Sequence, residues 1–376
     1  MNNTKLLILS DWYLPGVKAG GPIRSVDGIV QALNPNIDIW LITSDRDLND
    51  SEPYSGIETD QWLKRDDIHL YYASPKNVDG IIKSELQKVW NSIYLNSLFS
   101  FRFTVRPLLI CNSLKINKVV LAPRGMLGNG ALQIKRNKKQ IFLNLAKLFG
   151  LYNSVIWHVS SKFEKEQVLT YFKNADARVL TSLSKMKSSD EYFQNMPDEM
   201  LRMVVVARIA QVKNLDFLLS VLKSVSCKYY LHIYGPIEDA LYWDECNVLI
   251  ESISTIKINY LGEITHDEVR TTLEEYHCLF LPTEHENFGH VFIEAWSSGC
   301  MTLISDQTPW KNLEDKKVGY EIALQNKDLF ILKVNDLLLL NQESLNDRAM
   351  QCVDFSQEII ENEAHLAANL NLFEND

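Results

Sequence analysis

The sequence predicts an α/β protein with two parallel-sheet units. Short apolar runs rich in β-branched residues, such as residues 202–206, alternate with stretches whose apolar residues recur at helical spacing. A run without polar alternation is typical of a strand in a parallel sheet that is covered on both faces. Residues 181–200, which carry two adjacent serines, Asp190 and Pro197, interrupt this series and are predicted to link the two units.

Residues 1–180 are predicted to form the first unit. Its expected elements are a strand at 6–10, a Gly/Pro loop at 11–22, a helix at 23–33, and strands at 37–43, 119–121 and 155–157. Gly20 and Gly21 end the loop just before the helix. Glycines at this position let backbone N–H groups approach a phosphate, so the pair is a candidate anion-binding element.

Residues 201–345 are predicted to form the second unit, followed by a C-terminal helical segment at 346–376. The expected strands of the second unit are 202–206, 229–234 and 258–261, with helices near 242–250 and 268–275. The strands and helices alternate, so the second sheet is also expected to be parallel.

Composition and missing motifs exclude several classes of protein. The six cysteines form no C-x-x-C pair, so neither a zinc site nor a disulfide framework is expected. Neither a G-x-G-x-x-G nor a G-K-[ST] motif occurs, which argues against NAD and ATP. No apolar stretch approaches the ~20 residues that span a bilayer, and no signal peptide is recognised. We therefore expect a cytoplasmic protein.

The charge is distributed unevenly along the chain. The formal net charge is −10, yet no Asp or Glu lies between Glu85 and Glu164, where twelve Lys and Arg occur. The remainder of the chain therefore carries −22. A basic zone in an acidic protein indicates an anionic partner. No nucleic-acid-binding motif accompanies it. Residues 85–164 are thus expected to meet an anionic membrane surface or a lipid diphosphate, and a membrane surface would make the protein peripheral on the inner face of the membrane.

Glu286 and Glu294 lie eight residues apart in a predicted strand–loop–helix–strand segment. Gly289 is expected to close the loop and Gly299 to end the helix, both in left-handed backbone. Ligands bind at the carboxyl ends of parallel strands in α/β proteins. Both carboxylates and the backbone N–H groups of the loop are therefore predicted to face one crevice.

This segment, with the run 305–313 that follows it, resembles the E-x7-E motif of retaining GT-B glycosyltransferases of family 4. The resemblance covers most of the chain. It implies two Rossmann-like domains facing each other across a cleft, and a last helix that returns to the first domain. Arg208 and Lys213 follow the first strand of the second unit, near a helix N-terminus that favours anions. Their spacing matches the family's diphosphate-binding pair.

The resemblance also implies roles for the other site residues. Glu286 would contact the hydroxyls of the donor sugar, and Glu294 would accept hydrogen bonds from the ribose. The backbone of Asn287, Phe288 and Gly289 would hold the sugar and its phosphate. The loop with Gly20 and Gly21 would close over the diphosphate.

The expected reaction is transfer of a sugar, with retention, from a UDP- or GDP-sugar to a growing, lipid-linked glycan of a surface polysaccharide. The sugar nucleotide is a substrate, and neither a cofactor nor a metal is expected. Two alternatives use the same fold: a sugar-nucleotide epimerase and a non-catalytic sugar-nucleotide-binding protein. The Arg208/Lys213 pair and the E-x7-E spacing argue against both. Neither the base, the sugar nor the linkage follows from the sequence.

Four positions in the first unit carry alternative interpretations. Arg124 ends a predicted strand, and His158 follows another; both are candidate contacts to the acceptor or to a phosphate. Ser161–Glu164 matches a helix capping box, so the segment around His158 could equally serve only to begin a helix. Asp45 and Asp47 form a D-x-D pair, the metal-binding pattern of GT-A enzymes. Because the other motifs resemble GT-B enzymes, no metal is assigned to it.

Overall fold

The chain folds into two compact units, Met1–Lys185 with Asn362–Asp376, and Met186–Glu361. The structure, a computed structural model, describes residues 4–34, 36–133, 135–180, 200–225, 229–253 and 257–374. Nearly all of the predicted linker at 181–200 lies outside the described residues. No helix in the described ranges is long and apolar enough to cross a bilayer.

The first unit contains an eight-stranded sheet of order β3-β4-β2-β1-β5-β6-β7-β8, parallel except for the β3–β4 pair. Its strands are β1 (Thr4–Leu9), β2 (Ile37–Ser44), β3 (Trp62–Arg65), β4 (Ile68–Ala73), β5 (Ser92–Leu95), β6 (Val119–Leu121), β7 (Val155–Val159) and β8 (Asp176–Val179). Its helices are α1 (Gly21–Leu33), α2 (Val78–Glu85), α3 (Arg106–Leu114), α4 (Asn129–Gln133), α5 (Arg136–Leu148) and α6 (Lys162–Tyr171), with a π-helical turn at Phe101–Val105.

The second unit contains a six-stranded parallel sheet of order β11-β10-β9-β12-β13-β14. Its strands are β9 (Leu201–Val206), β10 (Tyr229–Tyr234), β11 (Lys257–Gly262), β12 (Cys278–Leu281), β13 (Met301–Ser305) and β14 (Gly319–Ile322). Its helices are α7 (Leu215–Leu222), α8 (Ala240–Glu251), α9 (His266–Leu273), α10 (His290–Ser297), α11 (Lys327–Leu338) and α12 (Gln342–Ile360), with a 3-10 turn at Gln211–Lys213. The expected α/β fold with parallel sheets is thus confirmed.

Helices cover both faces of the first sheet, which explains the continuous apolar runs. Consecutive residues of β1 alternate between two separate apolar clusters, with Leu7 and Leu9 in one and Leu6 and Ile8 in the other. All four side chains are fully buried. A strand buried on both faces cannot show the polar alternation of a half-exposed strand.

The two last helices belong to different units. α12 packs on α10, where the Phe355 and Trp296 rings lie 4.9 Å apart. The final helix, α13 (Glu363–Phe373), packs on α1 and buries Leu372 and Phe373 in the core of the first unit. The structural boundary therefore lies near residue 361, whereas the sequence placed it at 346, because the apolar face of α12 is buried within the second unit.

Both sheets have their first strand in the interior. The chain winds outward on one side of β1 and β9, then returns to add strands on the other side. The order reverses between β1 and β5, and between β9 and β12. In doubly wound sheets such a reversal opens a crevice at the carboxyl ends of the strands, where ligands bind.

Candidate functional site

Lys213 and Glu286 meet where the strand order of the second sheet reverses. Lys213 ends the 3-10 turn after β9, and Glu286 lies in the loop after β12. The Lys213 Nζ and Glu286 Oε2 atoms are 2.7 Å apart, and both side chains are largely buried, with 16% and 18% exposed. The structure thus joins two of the residues that the sequence singled out, 73 positions apart.

Backbone hydrogen bonds hold the two loops in register. The Glu284 N–H and the Thr283 hydroxyl both donate to the Val212 carbonyl, at 2.9 and 2.8 Å. The Glu286 N–H donates to the Gln307 carbonyl at 3.0 Å. The position of Glu286 is therefore set by its neighbours after β9 and β13, and not only by its own loop.

Gly289 begins α10 with a left-handed backbone, φ 76°. A Cβ at this position would lie 2.4 Å from the Phe292 ring and 3.0 Å from Glu286 Cγ, so only glycine fits. No side chain caps α10, and no acidic residue lies in its first turn. Its first N–H groups and the helix dipole thus favour an anion beside Glu286. Glu294 lies further along α10 and is buried.

Trp310 fixes the other end of this loop. Its indole N–H donates to the Phe288 carbonyl at 2.6 Å, and its ring packs against those of Phe288 and Trp296. The sequence pointed to the segment around Trp310 by resemblance but gave it no task. Nothing in the local pattern predicts a hydrogen bond between residues 22 positions apart. A tryptophan beside a proline is, however, a local signal of a structured loop.

Charge keeps Glu286 ionised. Burial by itself raises the pKa of this carboxyl, but the Lys213 ammonium and the Asn287 N–H together outweigh burial and lower the pKa below its usual value. The Asn287 N–H donates to Glu286 Oε1 at 3.1 Å. Glu286 can therefore act as a charged hydrogen-bond acceptor at neutral pH.

Arg208 follows β9 and forms an ion pair with Glu238. Both side chains are about half exposed, and such surface pairs contribute little stability. The loops after β9 and β10 are held together because the Ile209 N–H donates to the Pro236 carbonyl at 2.8 Å. Gly235 is required there, since a Cβ would lie 1.9 Å from the Ala207 carbonyl oxygen. The backbone next to Arg208 is thus held in place, whereas its guanidinium makes only a half-exposed ion pair with Glu238.

In the first unit, Gly20 and Gly21 lie at the open N-terminus of α1. Gly20 has φ 64°, and no atom lies within 4 Å of a Cβ built on either glycine. The loop before them is held by Asp47, whose carboxylate accepts hydrogen bonds from the Val17 and Lys18 N–H groups at 2.7 and 3.0 Å. The D-x-D pair thus includes a residue that shapes the glycine loop.

Arg124 lies after β6 and is held by neutral groups. Its Nε donates to Asn96 Oδ1, and its Nη2 donates to the Tyr94 hydroxyl, both at 2.7 Å. No carboxylate forms an ion pair with it among the described residues. A partly buried guanidinium without a carboxylate partner is a favourable place for an anionic ligand.

His158 is buried behind this guanidinium. Its Nδ1 lies 3.0 Å from the Tyr94 hydroxyl and its Nε2 lies 3.3 Å from the Leu180 carbonyl. The carbonyl only accepts, so Nε2 carries the proton, Nδ1 accepts from Tyr94, and Tyr94 accepts from Arg124. Burial and the Arg124 charge lower the pKa of His158 to about 3. The geometry gives His158 a positioning role and leaves it no open face toward a ligand.

The capping interpretation of the next segment also has a structural basis. The Ser161 hydroxyl accepts from the Glu164 N–H at 3.1 Å and begins α6. The Glu164 carboxylate accepts from the Gly125 N–H at 2.6 Å and from the Ser160 N–H at 2.7 Å. Glu164 therefore links the start of α6 to the loop that carries Arg124.

Two doubly wound α/β units of this kind define the GT-B fold. Residues 186–351, within the second unit, match the family described as "Glycosyl transferases group 1". The resemblance that the E-x7-E segment indicated is thus confirmed, since Glu286 and Glu294 lie within the matched residues.

Solved structures share the fold across nearly the whole chain. Sucrose-phosphate synthase from Thermosynechococcus elongatus is 13% identical, with a TM-score of 0.71 over 99% of this chain and 98% of its own. HepE from Anabaena, solved with UDP and glucose, is 12% identical, with a TM-score of 0.66 over 96% of this chain and 98% of its own.

A sequence relative comes from Klebsiella pneumoniae, where it is described as an uncharacterized 41.2 kDa protein in the cps region. It is 23% identical over 238 residues, which make up 60% of this chain and 63% of the relative. The match thus spans less than two thirds of the relative's length.

Proposed function

We propose that the protein is a retaining glycosyltransferase that takes a sugar from a nucleoside diphosphate donor. The observation that carries this proposal is the Lys213–Glu286 pair at the strand-order reversal of the second sheet, beside the uncapped start of α10. A cation, a carboxylate and a helix start that no side chain caps match the three parts of a sugar nucleotide near its reacting bond.

In the proposed reaction, a hydroxyl oxygen of the acceptor bonds to the anomeric carbon while the bond from that carbon to the diphosphate oxygen breaks. The electron pair of the broken bond leaves with the diphosphate, which takes up the hydroxyl proton on the same face of the sugar. The diphosphate therefore gains charge during the step. An ammonium has three N–H donors, so Lys213 can hold Glu286 and still donate to a phosphate oxygen.

Arg208 supplies the second cation for the diphosphate. Its half-exposed ion pair with Glu238 contributes little stability, so exchange of Glu238 for a diphosphate costs little. A guanidinium also binds two phosphate oxygens at once. We assign Arg208 and Lys213 to the leaving group and Gly20 and Gly21 to a further phosphate contact.

Glu286 is assigned to the hydroxyls of the donor sugar and Glu294 to the ribose. The lowered pKa of Glu286 supports the first assignment, because a charged carboxylate makes stronger hydrogen bonds to hydroxyls than a neutral one. The backbone of Asn287, Phe288 and Gly289 would line the sugar. Trp310 supports that backbone through the Phe288 carbonyl.

The donor is proposed to be a UDP- or GDP-sugar, with UDP favoured by the structure of HepE with UDP and glucose. The acceptor is proposed to be a lipid-linked glycan, and Arg124 is its candidate anionic contact. The relative in the Klebsiella cps region supports a role in surface polysaccharide. Such an acceptor would place the enzyme in the cytoplasm, at the inner face of the membrane.

The test is thermal unfolding of the protein with UDP, GDP and the matching monophosphates, without added metal. Binding at ~100 times the dissociation constant adds about 2.7 kcal/mol to the free energy of unfolding. We expect one diphosphate to raise the midpoint and its monophosphate to raise it less. Donors of the base so identified are then assayed for transfer to membrane extracts that contain lipid-linked glycans.

Lys213→Ala should lose the diphosphate shift, and Lys223→Ala is the matched control. Lys223 is exposed and lies at the opposite end of α7. Equal shifts in both variants, or no shift with any diphosphate, would contradict the proposed donor site. Diphosphate binding without sugar transfer from any donor would instead identify a binding protein.

A further inference from the structure

A row of large apolar side chains is exposed on α5 in the first unit. Ile141, Leu145, Leu148 and Phe149 are 60%, 48%, 76% and 78% exposed. Spacings of four, three and one residues place them on one face of the helix. Leu143 and Ala146 are buried on the opposite face. α5 thus packs on its unit through the opposite face, and about half or more of each side chain in the outward row is left exposed.

Cations lie on the same helix as this row. Lys135, Arg136, Lys138, Lys139 and Lys147 lie on or just before α5, and none forms an ion pair with a carboxylate among the described residues. Lys139 donates to the Ala131 carbonyl, and Lys147 lies over the Tyr171 ring at 5.1 Å. The nearest acidic residues in sequence are Glu85 and Glu164.

We propose that this face of α5 lies on an anionic lipid bilayer. We define the α5 surface as Ile141, Leu145, Leu148 and Phe149 with two exposed cations of the first turn of α5, Lys138 on the same face and Arg136 at the helix start. An interfacial helix buries its apolar side chains in the headgroup region while its Lys and Arg side chains meet lipid phosphates. The α5 surface has both parts on one exposed helix of a folded unit.

The size and charge of the surface favour a membrane over a protein. A stable protein interface uses about 20–30 residues on each side, whereas the α5 surface offers a single helix face. A bilayer needs no matching groove and gains from every apolar side chain that enters it. It also supplies negative charge around the whole row, and each cation near such a surface strengthens binding.

The structure also corrects which apolar residues face outward. A count of apolar residues after the basic cluster would place Ile141, Phe142, Leu143 and Leu145 on the lipid. Leu143 is buried, and Phe142 packs on Phe99 at 5.7 Å between ring centroids. Leu148 and Phe149, rather than Phe142 and Leu143, lie on the exposed face.

The test is co-sedimentation of the full chain with vesicles of phosphatidylcholine, alone or mixed with phosphatidylglycerol. We expect recovery with the mixed vesicles at about 0.05 M salt and loss at about 0.5 M, because salt screens the headgroup charge. Leu145→Gln/Leu148→Gln and Arg136→Gln/Lys138→Gln should each lower binding about tenfold or more. Arg136→Lys/Lys138→Arg keeps the charge and should keep binding.

The matched control is Leu241→Gln/Val248→Gln. These side chains are 78% and 68% exposed on α8, which carries three acidic residues and no basic one. This variant should bind vesicles like the unchanged protein, and all variants should keep its unfolding midpoint. The inference is overturned by equal binding to neutral vesicles, by no binding to mixed ones, or by sedimentation velocity showing that the α5 variants abolish self-association instead. It needs no sugar transfer, so its failure leaves the proposed reaction standing.

Discussion

The Lys213 ammonium lies 2.7 Å from the Glu286 carboxylate, and each side chain is more than four-fifths buried. Charges taken this far from water are costly unless they are paired. Each residue therefore depends on the other before any ligand arrives, and a substitution of one alters the state of its partner.

Lys213→Met should destabilise the protein at pH 7 by about 1–3 kcal/mol, because it leaves Glu286 as an unpaired, largely buried charge. The lowered pKa of Glu286 fixes the pH dependence: the pair stabilises the fold above the pKa of the unfolded state, and this is lost as pH falls through the lowered value. The difference from the unchanged protein should thus shrink below about pH 4. Urea unfolding at several pH values measures it, and a difference independent of pH would contradict the pairing.

Glu286→Gln keeps the shape of the side chain and removes the charge that is proposed to contact the donor sugar. Turnover should fall roughly a hundredfold or more, since a charged hydrogen bond at a reacting centre is worth about 2–4 kcal/mol. Glu294→Gln should mainly weaken donor binding. Steady-state kinetics with the identified donor separate the two effects, and full turnover in Glu286→Gln would refute its assignment.

Arg208→Ala should lower turnover more than it weakens donor binding, because the departing diphosphate gains charge in the transition state. Arg208→Lys should recover only part of the loss, since a point charge does not reproduce the guanidinium fork. The double variant with Lys213→Ala should lose less than the two single losses combined. Normal turnover at saturating donor in both single variants would leave the pair with a binding role only.

His158→Gln tests whether His158 positions Arg124 through Tyr94 or acts as a base. A base with an ordinary histidine pKa gives the rate an inflection near pH 6–7, whereas burial and Arg124 lower the pKa of His158 to about 3. The pH–rate profile between 5.5 and 8 should therefore have the same shape in both proteins. We expect the KM for the acceptor to rise as Arg124 loosens. Loss of an inflection in the variant would establish His158 as a base.

Asp11→Asn should make stability less dependent on pH. Burial raises the pKa of Asp11 to about 6, although the Ser100 hydroxyl, 2.6 Å away, lowers it in part. A raised pKa means that the contribution of Asp11 is full below the unfolded value and is lost as pH rises through about 6. Relative to the unchanged protein, the variant should gain about 1–3 kcal/mol between pH 5 and pH 8. Parallel stability curves would contradict a titrating Asp11 with a raised pKa.

The sequence predicted the strands and helix ends whose signals lie within a short stretch of the chain. The strands Val119–Leu121 and Tyr229–Tyr234 have the predicted bounds, because each is a short apolar run that ends at a loop. Gly299, φ 68°, follows the last residues of α10 as a helix stop should. Arg208, Lys213 and Glu286 were predicted as site residues because they follow strands at the spacing of the motifs in the resembling family.

Contacts between segments that are distant in sequence could not be predicted from the sequence. The Trp310–Phe288 hydrogen bond and the Tyr94–His158 pair depend on which strands become neighbours, and no local pattern encodes that. The edge strand Trp62–Arg65 runs antiparallel and is partly exposed, so it lacks the apolar run that revealed the others. The predicted domain boundary at residue 346 falls inside the helix Gln342–Ile360. The amphipathic pattern of this helix does not show which of the two cores it packs on.

The Phe373 ring lies 5.6 Å from the Tyr94 ring, and Tyr94 in turn holds Arg124. A ribosome therefore makes the whole second unit before it makes the helix that completes the core around Tyr94. Until that helix docks, the nascent first unit lacks two of its fully buried side chains, Leu372 and Phe373. A chain cut after residue 361 would therefore keep Arg124, the candidate acceptor contact, but lose the packing against Tyr94 that holds it.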